Sequence, residues 1–147
     1  MDPEEYLSTM VRPTLREYAE DRSSVRRAFL ACVVTFHTID YIANGEKPAV
    51  LRSRVRKECP SFILIDRVAH AFKHASTGNL RDEVQPLKSK QVRSRSSAIF
   101  GQAVFGEAIF GDAHGGVIIP GAMHTELYDE LQKVISYFEM QIASTAS

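Results

Sequence analysis

The 147-residue chain predicts a mainly α fold: a four- to five-helix bundle with a small β-hairpin or Gly/Phe-rich β insertion, about residues 84–120, before the C-terminal helix. Three observations carry this expectation. Apolar residues recur with a helical period up to His74 and again from Leu127 to Ile142. Between them the period is lost, and Val, Ser and Arg alternate imperfectly before a run of repeated Phe-Gly. Capping and breaking residues stand at the joins. The length is that of one domain, residues 1–147, with enough chain to bury a core without staples.

Asp2 as N-cap and Pro3 in the first turn open a helix that runs to about residue 20. Pro13 within it predicts a kink or a split, because proline donates no N–H and its ring crowds the carbonyl four residues back. Asp21 or Ser23 caps a second helix through Ala43, ended by the left-handed-tolerant Asn44-Gly45. Its centre, Ala28 to Phe36, is apolar nearly all round, as in the central helix of a bundle. A short basic helix fits Pro48–Lys57, and Cys59-Pro60-Ser61 separates it from the next. Residues 76–83 are turn-rich. Val84 to Ile99 reads as strand, with Pro86 at an edge or unpaired.

Ala98–Gln102, Ala103–Glu107 and Ala108–Asp112 repeat one pattern, Ala-[Ile/Val]-Phe-Gly-polar. Three units are fewer than one coil of a pentapeptide β-helix, so the expectation is an extended loop or irregular hairpin. Its Phe100, Phe105 and Phe110 would dock on the helices or on a partner. Val117-Ile118-Ile119 makes a last short strand, and a helix from about His124 to Ile142 closes the domain.

The apolar fraction of 44% and charged fraction of 24% are those of a soluble globular protein. No apolar run has membrane-spanning length, and the acidic start Met1-Asp2-Pro3-Glu4-Glu5 is unlike a signal-peptide n-region. Cys32 lies in an apolar helix, so no disulfide with Cys59 is expected, and a cytoplasmic protein is. Net charge is zero but uneven: residues 1–100 carry 17 Lys/Arg against 12 Asp/Glu, and 101–147 carry one Lys against six acids. Basic residues crowd at Lys47, Arg52, Arg54, Arg56 and Lys57, and again at Lys88, Lys90, Arg93 and Arg95. Such clusters meet phosphates, or form a solvated face neutralised by the acidic C-terminal helix.

Chemistry concentrates on the helix before residue 75. At about 100° per residue, Phe62, Ile65, Val68, Ala69 and Phe72 share a core-facing arc, while Asp66, Arg67, His70, Lys73 and His74 share the opposite one. On the second helix His37 and Asp40, on the arc of Leu30 and Val33, are expected in an apolar setting and hence neutralised or paired, with each other, with Tyr41 or with the Asp66–His74 helix. Three readings follow. A bundle-core metal site would use His37, Asp40, His70 and His74 with Asp66, against the charges of Arg67 and Lys73. A nuclease site would use histidine as general base toward a ribose 2′-hydroxyl and arginine to stabilise phosphate charge, with a second copy completing it. The third is a polar surface or dimer contact.

Arg67-x6-His74 resembles the Arg-x(4–6)-His signature of the HEPN superfamily. Phe36-His37-Thr38-Ile39-Asp40, then Cys59-Pro60, then Asp66 to His74 is similar to a group of small bacterial HEPN-like helical-bundle proteins. Those pair an HxxD helix with an RDxxNAxKH-type helix, followed by a Gly/Phe-rich β segment and a terminal helix. Here the order is Asp66-Arg67, and His70 stands where active ribonucleases carry a polar Asn. The resemblance implies a homodimeric cytoplasmic bundle that binds RNA or cleaves it without metal. Arg67 and His74 would be the catalytic pair, supported by Asp66, His70, Lys73, His37 and Asp40. No cofactor is expected. The alternative is a non-enzymatic module that binds a protein or small ligand.

Overall fold

A computed structural model describes residues 1–74, 86–99, 101 and 111–145. The turn-rich 76–83, the start of the first strand region at Val84, and Phe100, Phe105 and Phe110 lie outside the described residues. The rest is the expected helical bundle, with a two-stranded antiparallel sheet before the last helix.

The first helical run is α1 (Pro3–Tyr6), a π-turn (Leu7–Val11) and α2 (Arg12–Glu20). Asp2 Oδ1 accepts the Glu5 amide at 2.8 Å, as the cap predicts. Next to Pro13 the run is divided as expected: a wide π turn, closed by the Arg12 amide on the Leu7 carbonyl, separates the two α segments. The cap of α3 (Val25–Ile42) is Ser24, whose hydroxyl accepts the Arg27 amide, and not Asp21 or Ser23. Asp21 instead accepts from the Ser23 amide and hydroxyl and holds the connecting turn. Asn44 (φ 38°) and Gly45 (φ 89°) end the helix in the left-handed region. Next come α4 (Pro48–Glu58) and α5 (Ser61–His74).

Strand content between residues 86 and 99 is smaller than expected. A 3-10 turn at Ser89–Gln91 precedes a single strand, β1 (Arg93–Arg95), and Pro86 stays unpaired. β2 is Gly116–Ile118, one residue earlier than expected, with Arg93 opposite Ile118 and Arg95 opposite Gly116. The closing helix α6 (Leu127–Thr145) starts three residues late but buries the expected stripe of Leu127, Leu131, Val134, Ile135 and Phe138.

α5 is the central element, packed most extensively on α3 and then on α6, with α4 along one side. Phe62, Ile65 and Val68 are fully buried there against Phe138 and the α3 face of Ala28, Cys32 and Ile39. Among the described residues, no helix is long and apolar enough to cross a membrane.

The β segment is tied down by charge. Arg95, 2% exposed, pairs through Nη2 with Asp112 and Glu126, joining β1, the loop before β2 and the approach to α6. The backbone folds over this arginine only because Gly115 and Gly116 lack side chains. At Gly115 (φ +68°) a Cβ would sit 2.6 Å from the Arg95 carbonyl oxygen. Gly115→Ala is therefore expected to destabilise by about 1–3 kcal/mol, read as an earlier midpoint in urea, through the strained φ and the close contact.

Candidate functional site

The expected division of α5 holds at Phe62, Ile65, Val68 and Ala69, which are buried, and departs at three positions. Asp66 and Arg67, assigned to the polar outer arc, are buried at 2% and 8%, while Phe72, assigned to the core, is 48% exposed. The helix is covered on more than one side, so the polar arc is buried wherever another segment supplies partners. Arg56 of α4 places Nε 2.6 Å from Asp66 Oδ2, with Nη2 on the same oxygen. Arg67 Nη1 donates to the Pro120 carbonyl at 2.7 Å, anchoring the turn after β2. Desolvation lowers the Arg67 pKa from its ordinary value.

His37 and Asp40 do pair with each other, Nδ1 to Oδ2 at 2.8 Å, but at the surface and not in an apolar setting. The buried arc of α3 is Ala28, Cys32, Thr35 and Ile39; the arc shared by Leu30, Val33 and His37 is only half covered.

That half-covered arc faces α5 across a groove of about 260 Å³. Its walls are Val33 and Phe36 from α3 and Ala69 and Phe72 from α5, and its polar groups are His37, His70 and Lys73. His70 Nδ1 lies 2.9 Å from the Asp66 carbonyl oxygen and 2.8 Å from Asp66 Oδ1. Oxygens of carbonyls and carboxylates only accept, so in both imidazoles Nδ1 carries the hydrogen and Nε2 is left for a ligand. Both rings also stand edge-on to the phenyl ring of Phe36, with centroids 5.3 Å (His37) and 5.0 Å (His70) away. The guanidinium of Arg52 lies 6.0 Å from the same ring.

No protein-family model, curated protein or solved structure matches the chain.

The sequence singled out His37, His70 and Lys73, and they meet in the groove. Arg67 and His74 are not part of its lining: Arg67 Nη1 donates to the Pro120 carbonyl, and His74 lies on the exposed end of α5, its ring 6.1 Å from that of His70. Among the described residues, no group of three or more His, Cys, Asp or Glu is placed to hold a metal ion, which leaves the four-ligand expectation without a centre. Sequence reading placed Arg52 and Arg56 only in a basic cluster and Phe36 only in an apolar helix and a motif, and gave none of them a role at this site. The available signal was the i, i+4 spacing of Arg52 and Arg56 on one side of a short helix.

The hydrogen bond from His70 to the Asp66 side chain raises the imidazole pKa, against a smaller lowering by burial. The contribution to stability is therefore fully present below about pH 6.5, the unperturbed value, and is lost as pH rises through the higher folded value. An NMR titration is expected to place the His70 midpoint above 6.5.

Proposed function

We propose that the protein binds single-stranded RNA in the α3–α5 groove and cleaves it without a metal ion. The observation that carries this reading is the composition of the groove: proton-carrying and cationic groups set against exposed aromatic surface, with the carboxylates held behind the imidazoles. Phe29 stacks on Phe72 at 4.6 Å, yet Phe72 remains 48% exposed, which leaves ring surface on which a base can stack. Lys73 and Arg52 supply charge for a phosphate. These cations oppose a divalent ion at the same place, which favours chemistry carried by side chains.

The HEPN resemblance supports the same activity through different residues, Arg67 and His74. The groove favours His37, His70 and Lys73, with Arg67 holding the β segment. A homodimer, which the resemblance implies, would set two grooves on one RNA. A cytoplasmic location suits the substrate and the two buried free thiols, Cys32 and Cys59.

The test is anisotropy of a labelled single-stranded RNA in EDTA over a salt series, with a denaturing gel of the same samples. Binding should weaken linearly on a log–log salt plot, and Lys73→Ala should flatten the slope by roughly 0.7 through the loss of one phosphate contact. Folded protein that neither binds nor cuts RNA would reassign the groove to a small ligand or a protein partner.

A further inference from the structure

We infer that His37 and His70 are the acid–base pair of this groove, acting from opposite walls on one phosphodiester. Nε2 of His37 takes the proton of a ribose 2′-hydroxyl as that oxygen bonds to the adjacent phosphorus. Nε2 of His70 gives its proton to the 5′-oxygen as the P–O5′ bond breaks. The products are a 2′,3′-cyclic phosphate and a 5′-hydroxyl, and no other reactant is consumed. Proton exchange with solvent then returns both rings to their starting states. The inference rests on the RNA reading above.

Three features of the geometry point to this pair. The rings come from different helices, line the same groove and share Phe36 as a common wall, so a single phosphate can lie between them. Each Nδ1 is fixed by an acceptor, which sets the tautomer and turns Nε2 into the working nitrogen. The two supporting carboxylates differ. The Asp66 side chain is 3% exposed and clamped by Arg56, whereas that of Asp40 is 51% exposed.

That asymmetry divides the roles. The buried Asp66 holds His70 toward its charged form, as a general acid requires, while His37 leans on a solvated carboxylate and serves as base. The other charges around the pair are Arg52 and Arg56 from α4 and Lys73 and His74 from α5. Arg52 opposes protonation of His70 without reversing the upward shift. Lys73, on the groove itself, is placed to offset charge on the phosphate oxygens.

The experiment compares wild type, His37→Gln, His70→Gln, His74→Gln and His124→Gln in EDTA. The substrates are an RNA with one cleavable linkage and the same RNA with sulfur replacing the bridging 5′-oxygen. A thiolate leaves without a proton, so only the acid becomes dispensable. His37→Gln and His70→Gln should each slow cleavage of the oxygen substrate roughly 100- to 10,000-fold, and His124→Gln should leave it unchanged. The sulfur substrate should rescue His70→Gln and not His37→Gln. A merely structural role for His70 would not be rescued.

Should either variant fail to fold, the wild-type pH–rate profile decides. It should be bell-shaped on the oxygen substrate and lose its alkaline limb on the sulfur one. Wild-type rates in both groove variants, a loss confined to His74→Gln, or an unrescued His70→Gln would each overturn the assignment. Wild type that binds RNA without cutting it overturns the acid–base pair and leaves the binding site. Absence of binding overturns both.

Discussion

Arg95→Met is expected to unfold roughly 10 °C below the wild-type chain. The arginine is 2% exposed and carries two carboxylates, Asp112 and Glu126. Methionine approximates its volume and none of its charge, so both acids are left facing an apolar side chain. Breaking a buried ion pair from one side costs about 3–5 kcal/mol. The lower end applies here, because Asp112 still accepts from the amides of His114 and Gly115, each at 3.0 Å, and the Glu126 side chain is 31% exposed. At roughly 3 °C per kcal/mol for a chain of this size, the shift is readily measured by calorimetry. Arg95→Lys should fall between the two, since it restores the charge without the forked geometry that meets both acids. Equal melting of Arg95→Met and wild type would show that β1 and the α6 approach hold together without this arginine.

Asp66→Asn should have an effect of similar size on stability and a second effect on chemistry. Asp66 is the shared partner of Arg56 and His70, and it is itself 2% exposed. Its neutral analogue removes the charge with which Asp66 meets the Arg56 guanidinium, whose side chain is 22% exposed, at a cost of about 3 kcal/mol. The raised pKa of His70 depends first on its hydrogen bond to Asp66, so the imidazole should titrate lower in the variant. The sign of the pH dependence follows. The interaction of the charged imidazole with Asp66 operates below about pH 6.5 and fades as pH rises through the elevated folded value. The stability gap between wild type and Asp66→Asn is thus widest near pH 6 and narrows toward pH 8, which urea titrations at the two values would reveal. A gap equal at the two values would mean that Asp66 serves Arg56 alone.

The helices were legible because their signals are local. Asp2-Pro3, Asn44-Gly45 and Pro48 each mark an end through the conformation of a few adjacent residues, and the structure places boundaries within a few residues of them. The site was half legible. His37, His70 and Lys73 were recognisable as chemistry because two imidazoles and an ammonium on facing helices exceed what solubility requires. Which of their neighbours on α5 would be covered was not recognisable. A helical period separates arcs, but it does not say which arcs other segments cover. Asp66 and Arg67 are buried because Arg56 and the Pro120 carbonyl reach them, over 10 and 53 residues of chain. Phe72 is exposed because Phe29 covers only part of it. Arg95 gave no warning at all. It sat in a run read as a basic patch, and its partners lie 17 and 31 residues away.

Part of the patch is committed for the same reason. Arg54 pairs with Glu46, Arg56 with Asp66, and Arg95 with two acids. What remains for an anion near the groove is Arg52, Lys73 and the imidazoles.

The central claim is that RNA enters this groove. Imidazole proton resonances of a chain of 147 residues are resolvable, and a short single-stranded oligoribonucleotide with 2′-deoxy substitutions to block cleavage can be titrated in EDTA. The rings of His37 and His70 are predicted to shift together and saturably, while those of His114 and His124 stay in place. Shifts confined to His114 or His124, or no shift at saturating RNA, would contradict the account.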